Sequence, residues 1–163
     1  MRLLAIDPGT ESSGVVIMGS KNLAVARSWP RMSNLELLHS IPFACDHIAI
    51  EMIASYGMAV GRTTFETCVW IGRFIEVMAR ENYNTDNHTL VYRKDVKMTL
   101  CGSMRAKDAN IRRELLDRYP ETGGGKTPQI GTKPKPGPLY GVSSHAWSAL
   151  AVAHTFVEME KLR

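Results

Sequence analysis

Apolar runs of strand length, each closed by a polar break, dominate the first part of the chain. Residues 3–6 are apolar and lead to Asp7, after which Pro8 and Gly9 break the strand. The run 14–18 predicts a second strand, so the two form a hairpin with Asp7 at the rim of the sheet. A carboxylate there meets a metal, a hydrogen-bond donor or water, because burying it unpaired is costly. The turn chemistry of Asp-Pro-Gly also suits a solvated aspartate.

A third strand and a short helix are predicted next. The strand covers residues 23–29 and is stopped by Pro30, and strands this close in sequence form an antiparallel meander. The helix has Ser33 or Asn34 as its N-cap, and Pro42 ends it. Three leucines of this helix are predicted to face the core: Leu35, Leu37 and Leu38.

A second acid closes the following predicted strand, 45–51, which ends on Glu51 as the first strand ends on Asp7. Two neighbouring strands with this ending bring two carboxylates together at one rim. Like charges held that close repel each other, and a divalent cation between them removes the repulsion. The repetition therefore favours a metal site over a solvated turn.

A long helix is predicted over residues 63–81, after a loop that contains glycines. Glu66 lies beside its apolar stripe, either facing the Glu51 side or solvated. Residues 82–87 predict a turn. The stripe, which we expect to form core or dimer contacts, consists of Phe65, Val69, Trp70, Phe74 and Val77.

The next segment predicts a strand at 89–92 and a helix that opens at 93–97 and is broken at 101–103. Asp108 is predicted to N-cap a further helix over 109–119. An aspartate there satisfies backbone N–H groups that the first helical turn leaves without partners, so capping is one role open to Asp108.

Residues 122–140 are rich in glycine, proline and lysine and predict a mobile basic loop. Its tripeptide at 125–127 looks like the end of a phosphate-binding P-loop. That match fails, because Pro120 stands where the motif needs its first glycine, and a helix rather than a strand precedes the loop. The loop carries Lys126, Lys133 and Lys135.

The final helix is predicted over residues 145–163, with Ser143 or Ser144 as its N-cap. His145 lies in its first turn, and Ser148, three residues on, shares the same face. An imidazole in that place is a candidate metal ligand or proton acceptor. The face predicted to pack on the sheet carries Ala149, Val152, Ala153 and Phe156.

Composition fits one globular domain. The chain has 163 residues, 44% hydrophobic and 22% charged, enough for a single domain over 1–163 with its own core. No apolar run approaches the roughly 20 residues that span a bilayer, and Arg2 leads into a strand-like run instead of a signal peptide. Cys45, Cys68 and Cys101 have no metal-binding spacing and predict reduced thiols in a cytoplasmic protein. The formal charge of +4 suits a polyanionic partner.

The order of elements and three motifs resemble the RuvC-type Holliday junction resolvases of the ribonuclease H-like superfamily. The motifs are Ala-Ile-Asp-Pro-Gly-Thr (5–10) with Gly14, Ile-Ala-Ile-Glu (48–51), and Ser-His-Ala-Trp-Ser-Ala-Leu-Ala-Val-Ala (144–153). The region 94–107 is similar more loosely, with Lys97 and Lys107 at the places of the family's paired basic residues. The resemblance covers nearly the whole chain, and the short form looks most like phage-encoded members.

This resemblance implies an α/β fold of the ribonuclease H-like type, with a five-stranded mixed sheet flanked by helices on both faces. Family members act as homodimers that bind a four-way DNA junction and nick two strands symmetrically. Their catalysis uses four carboxylates, or three and a histidine, that hold two Mg²⁺ ions, with Mn²⁺ as a substitute. Neither a nucleotide cofactor nor a membrane is implied, and the expected location is the cytoplasm, of the host cell for a phage protein.

Residue by residue, the resemblance implies that Asp7, Glu51 and His145 are metal ligands. Asp7 would bridge the metals, and His145 either binds one or takes the proton of the attacking water. Lys107 would stabilise charge at the scissile phosphate. Further contacts to the DNA backbone, which position the substrate without reading bases, are implied for Lys94, Lys97, Arg105, Lys126, Lys133 and Lys135.

One departure from the family pattern is Ser148, which stands where an aspartate is usual. A hydroxyl is a weaker ligand than a carboxylate, so the second metal site is weaker or is completed elsewhere, by Asp108 or Glu66. Loss of catalysis is the alternative, and it leaves a protein that binds branched DNA without cutting it.

Two further alternatives differ in substrate or in class. A related nuclease acting on flaps or RNA would use the same chemistry on the backbone. Actin-like ATPases and sugar kinases also begin with an Asp-x-Gly-Thr hairpin. They need a second phosphate motif and a glycine-rich adenosine motif in a longer, two-lobed chain, and neither motif is evident here.

Overall fold

The computed structural model describes residues 1–82 and 87–161, apart from the side chains of 42–44 and 81–82. Within the turn predicted at 82–87, residues 83–86 lie outside the described part, as do the last two residues of the final predicted helix. The elements are β1 (Arg2–Asp7), β2 (Ser12–Gly19), β3 (Val25–Ser33), α1 (Asn34–Ala44), β4 (His47–Met52), α2 (Arg62–Asn82), β5 (His88–Tyr92), α3 (Arg93–Cys101), α4 (Asp108–Leu116) and α5 (Ala146–Lys161).

Strand β1 lies at the centre of the sheet, whose order is β3-β2-β1-β4-β5, and brings both predicted acids to one edge. β2 pairs with it antiparallel, with Asp7 opposite Gly14. β4 pairs with it parallel, with Ile6 opposite Ile50. Parallel neighbours end at the same edge of a sheet, so Glu51, which follows Ile50, lies beside Asp7.

The side chains of β1 alternate between two hydrophobic cores, one on each face of the sheet. Leu4 and Ile6 belong to the core formed with α1 and α2, whereas Leu3 and Ala5 belong to the core formed with α3, α4 and α5. Burial on both faces explains why this run is continuously apolar instead of alternating. The predicted five-stranded mixed sheet with helices on both faces is confirmed.

Two prolines lie inside elements that they were predicted to end. β3 runs past Pro30 to Ser33, because it is an edge strand of the sheet, where a residue without an N–H is tolerated. α1 runs past Pro42 to Ala44. Pro42 lies in the last turn of that helix, so the helix ends two residues beyond its predicted end.

Three residues with predicted contacts lie on the surface instead. One was predicted to face the core, and two, in the long helix, were predicted to form core or dimer contacts. Leu35 of α1 is exposed, and so are Phe65 and Val69 of α2, at 62% and 64%. Trp70 and Val77 are half-buried at the margin of the core-facing side. That side of α2 consists of Thr67, Ile71, Phe74 and Met78. The core alternative is therefore wrong for Phe65 and Val69, and dimer contact by them stays a prediction.

Helix α4 begins at Asp108 itself, so the prediction that Asp108 is the N-cap is wrong. Lys107 occupies the N-cap position, and its backbone N–H donates to Asn110 Oδ1 at 2.9 Å. The carboxylate of Asp108 therefore does not cap the helix. It pairs with another side chain, described below. The helix ends at Leu116, three residues before the predicted end.

Helix α5 begins at Ala146, one residue later than predicted. The carbonyl of His145 accepts the first helical hydrogen bond, from Ala149 N at 3.1 Å. His145, rather than Ser143 or Ser144, is therefore the residue at the N-cap position. The apolar face predicted for this helix is buried against the sheet.

The segment 122–140 is held by hydrogen bonds within its own backbone. Gly123 N donates to the Pro128 carbonyl at 2.8 Å, and Thr132 and Lys135 each donate to the other's carbonyl at 3.0 and 3.1 Å. Leu139, near its end, is fully buried. These contacts give the basic loop a defined path, and its mobility stays a prediction.

The cysteines are free thiols, with Cys45 buried and the other two partly buried.

In the part of the chain that the structure describes, no helix combines the length and the apolar character needed to cross a membrane.

Two buried polar side chains hold the turn between β1 and β2. Ser13 Oγ donates to Asn34 Oδ1 at 2.7 Å, Asn34 Nδ2 donates to the Gly9 carbonyl at 2.9 Å, and Asn34 N donates to the Glu11 carbonyl at 2.9 Å. Asn34 is fully buried, so water does not compete for these bonds. They fix the turn that follows Asp7.

We predict that Asn34→Ala lowers the free energy of unfolding by about 1–3 kcal/mol, because it leaves the Ser13 hydroxyl and the Gly9 carbonyl buried without partners. Urea denaturation measures the loss. The matched control is Asn22→Ala, which removes an exposed bond from Ala24 N to Asn22 Oδ1 of 3.2 Å and should cost less than about 0.5 kcal/mol. Equal losses in the two variants would contradict the role of Asn34.

Candidate active site

Asp7, Glu51 and His145 meet at the edge of the sheet where β1 and β4 end. His145 Nδ1 lies 3.2 Å from Asp7 Oδ2. Glu51 lies close enough to Asp7 for the charge of Asp7 to raise the pKa of Glu51. The three side chains line a cleft of about 390 Å³ together with Arg93 and Ser148. The structure thus brings together the residues that the sequence predicted as metal ligands.

Gly14 allows His145 to approach Asp7. A Cβ atom at Gly14 would lie 2.4 Å from the His145 carbonyl oxygen and 2.7 Å from its Cβ, closer than side-chain atoms pack. Gly14 is also the partner of Asp7 across the hairpin. The start of α5 therefore rests directly on β2, and this contact sets the position of the imidazole.

Burial raises the pKa of both carboxyl groups. Burial first, and then the negative charge of Asp7, raise the pKa of Glu51 to about 7, although the charge of Arg93 lowers it. Burial also raises the pKa of Asp7, against the hydrogen bond and charge of His145. Glu51 therefore holds a proton until the pH approaches 7. A divalent cation that binds both carboxylates must displace this proton.

Arg93 is a positive charge in this cleft that the sequence interpretation did not single out. Its Nη1 lies 3.7 Å from Glu51 Oε1, and its Nη2 donates to Asp108 Oδ1. Arg93 follows β5, which runs parallel to β4 with Tyr92 opposite Met52. Because parallel strands end at one edge, the residue after β5 reaches the edge that carries Glu51. This strand-end position is the signal that could have found it.

Two further clefts adjoin the one that holds the acids. One, of about 300 Å³, shares Asp7 and His145 and adds Arg31. The other, of about 350 Å³, shares Arg93 and Ser148. Arg31 comes from the edge strand β3, two strands away from β1, and nothing in the sequence indicated that it would reach the acids.

Three other candidate residues lie outside the cleft of the acids. Asp108 is 88% exposed and pairs with Arg93. Glu66 pairs with Arg62 at 2.6 Å on the exposed side of α2, which agrees with the solvated alternative. Lys107 is exposed at the start of α4, and its role at the phosphate stays a prediction.

The predicted DNA-contacting residues form two groups, and their contacts with DNA stay a prediction. The first group lies on α3 and the turn to α4. These elements adjoin the cleft, because Arg93 at the start of α3 lines it and pairs with Asp108 at the start of α4. The second lies on the loop 122–140. Apart from the partly buried Lys97, all are exposed. The first group is Lys94, Lys97, Arg105 and Lys107, and the second is Lys126, Lys133 and Lys135.

Two carboxylates and an imidazole suit a divalent cation. In the structure, His145 contacts Asp7, and the charge of Asp7 acts on Glu51. Among residues 1–82 and 87–161, no three His, Cys, Asp or Glu side chains are arranged closely enough to hold a metal ion. The donor atoms suit a divalent cation in kind, and metal binding stays a prediction.

We predict that Glu51→Gln stabilises the metal-free protein at high pH. The folded-state pKa of Glu51, about 7, lies above the ordinary value of 4.5, so stability is lost as pH rises from 4.5 through 7. Glutamine keeps the neutral, hydrogen-bonding form. The variant should raise the free energy of unfolding by about 1–3 kcal/mol at pH 8, and by much less at pH 5.

Urea denaturation in EDTA at both pH values measures this difference. Glu66→Gln is the matched control, since it removes one exposed ion pair and should change stability by less than about 0.5 kcal/mol at either pH. A Glu51→Gln variant less stable than the wild type at pH 8 would show that the two carboxylates do not repel as described.

Comparison with known proteins identifies the fold. No protein-family model matches the chain, and no curated protein does. Two solved structures match over 99% of this chain and 96% of their own. They are T. thermophilus RuvC in complex with Holliday junction substrate, with a TM-score of 0.64 and 16% identity, and the Thermus thermophilus RuvC structure, with 0.63 and 14%. The chain therefore has the RuvC-type fold, as its motifs predicted.

Proposed function

We propose that this chain is a structure-specific endonuclease that resolves four-way or other branched DNA junctions by metal-dependent phosphodiester hydrolysis, leaving paired nicks. The observation that carries the proposal is the meeting of Asp7, Glu51 and His145 in one cleft of a RuvC-type fold. One of the matching structures is a RuvC in complex with a Holliday junction substrate. The exposed basic residues on α3 and the loop 122–140 support a polyanionic substrate.

Phosphodiester hydrolysis needs a water nucleophile, neutralisation of the phosphate and help for the leaving oxygen. A bound divalent cation, Mg²⁺ or Mn²⁺, supplies Lewis-acid assistance to these steps. Asp7 and Glu51 would hold the cation. The water oxygen would attack phosphorus while its proton passes to His145 or to solvent. The bond from phosphorus to the leaving sugar oxygen would break, and that oxygen would take a proton from solvent.

His145 is oriented for either of its two proposed roles. Its Nδ1 faces Asp7 Oδ2 at 3.2 Å, which fixes the ring and leaves Nε2 as the atom that binds a cation or accepts a proton. Its side chain is about half exposed, so Nε2 can meet water or DNA. Asp7 thus acts both as a ligand and as the group that orients the imidazole.

A homodimer follows from the proposal, since paired nicks need two active sites at a fixed spacing. One face of α2 supports it. Phe65 and Val69 are exposed one turn apart, and Gly72 continues the same face with open space above it. A glycine inside a helix lowers stability unless close approach of a neighbour requires it. A second copy of α2 packed on this face would account for all three residues.

Branched-DNA binding without cleavage is the second candidate function. Ser148 favours it, because a serine lines the cleft where the family pattern has an acid. A nuclease of this fold that acts on flaps or RNA is a further alternative, since the same cleft would cut any of these backbones.

We predict that the protein makes paired nicks in a labelled synthetic four-way junction in Mg²⁺, and that Asp7→Asn lowers the rate at least about 100-fold. Asp7→Asn removes the charge that acts on both other site residues. Duplex, flap and fork DNA are tested beside the junction. The control is Asp46→Asn, at the opposite end of the sheet, where the side chain only accepts a bond from Arg2 N at 2.7 Å.

Each other outcome of this assay selects an alternative. Junction binding without nicks in Mg²⁺ or Mn²⁺ would identify a binding protein. Faster cleavage of flaps or RNA than of junctions would identify a related nuclease with another substrate. Cleavage that survives Asp7→Asn would show that the cleft is not the active site.

We predict that DNA binding weakens steeply with salt, because each lysine or arginine that contacts a phosphate releases counterions. The double substitution of Lys94 and Arg105 by glutamine should lower the slope of log Kd against log salt by about 2. Lys21→Gln is the control, since Lys21 lies in the turn after β2, at the edge of the sheet away from Asp7. An unchanged slope in the double variant would exclude α3 and its following turn from the DNA interface.

A further inference from the structure

Arg93 lies between two carboxylates that belong to different elements. Its guanidinium faces Glu51 of β4 at 3.7 Å and donates a hydrogen bond to Asp108 of α4. The side chain is 29% exposed, so it is largely shielded from water. It lines both the cleft of the acids and the adjoining cleft of about 350 Å³, and Ser148 is the other residue in both.

We propose that Arg93 occupies the place between Glu51 and Asp108 that a second metal ion would take, so that the site binds one divalent cation per chain. The catalytic meaning of this inference rests on the proposed function, whereas the number of cations does not.

The charges of the site balance with one cation. Asp7 and Glu51 contribute two negative charges when both are ionised, which one divalent cation neutralises. Arg93 and Asp108 neutralise each other in their own ion pair. Ser148 contributes no charge. A second divalent cation would therefore leave excess positive charge in a partly buried cleft, which is unfavourable.

The position of Arg93 also opposes a second cation directly. The guanidinium of Arg93 carries a positive charge, which repels a divalent cation brought next to it. A cation between Glu51 and Asp108 would have to displace it from both carboxylates. Asp108, which the sequence offered as a substitute ligand, is engaged with Arg93 instead.

Arg93 can also serve the proposed reaction itself. An arginine has five N–H donors in a planar fork, and the hydrogen bond to Asp108 uses one of them, while Nη1 faces Glu51 at 3.7 Å. The remaining donors are available to a phosphate oxygen in the cleft. In that case Arg93 would stabilise the negative charge that develops on the phosphate, as a metal cation does, and would do so from a fixed position.

The test counts Mn²⁺ ions per chain, with Mn²⁺ alone as the probe. Calorimetric titration should give one ion per wild-type chain, and electron paramagnetic resonance should show an isolated ion. Arg93→Ala should bind two ions with a magnetically coupled spectrum, because Glu51 and Asp108 are freed. Arg93→Lys, which keeps the charge, should bind one. Adding Asp108→Asn to Arg93→Ala should return the count to one.

Arg80→Ala is the matched control, since it removes an exposed arginine that pairs with Glu76 on α2, and it should keep the wild-type count. The rise in Tm on adding Mn²⁺ shows that each variant is folded and binds. Two ions in the wild type, none in the wild type, or one ion in Arg93→Ala would each overturn the inference. The wild-type count decides this even where a variant fails to fold.

The outcomes separate this inference from the proposed function. A wild-type protein that nicks junctions with two Mn²⁺ per chain overturns the inference and leaves the function in place. A protein that binds one Mn²⁺ and nicks no branched DNA overturns the function and leaves the inference in place.

Discussion

Repulsion between two carboxylates at the ends of neighbouring strands is the constraint on which the rest of this site depends. Parallel pairing of β1 and β4 fixes the backbone of Asp7 beside that of Glu51, so the two carboxylates start from neighbouring positions. The molecule offsets the repulsion by a proton on Glu51, by His145 on one side and by Arg93 on the other. Under the proposed function, a divalent cation that binds both carboxylates would remove this repulsion.

The scaffold around the acids is rigid because its packing leaves few alternatives. Small side chains let α5 lie close on the sheet, and its apolar residues are buried, so its first turn has a fixed height above β2. Gly14 admits that turn, and Asn34 holds the neighbouring loop from beneath. The precision of the contact between His145 and Asp7 therefore comes from residues that carry no chemistry themselves.

Much of the fold could be predicted from the sequence, because continuous apolar runs mark strands buried on both faces and acids at their ends mark one rim. What could not be predicted depends on tertiary placement. Pro30 is tolerated only because β3 lies at the edge, and the exposure of Phe65 and Val69 depends on which side of α2 meets the sheet. Arg93 and Arg31 reach the site through strand order, which local patterns do not state.

Ser148 and Arg93 both make the site less negative than the family pattern would. Ser148 stands where that pattern has an aspartate, and Arg93 adds a positive charge. With one divalent cation bound, the pair of acids is neutral and so is the pair of Arg93 and Asp108. A neutral cleft does not attract the DNA backbone over long distances, so that attraction must come from basic residues around it. Under the proposed function, DNA affinity and metal affinity reside in different residues, so that substrate capture and catalysis depend on different parts of the chain.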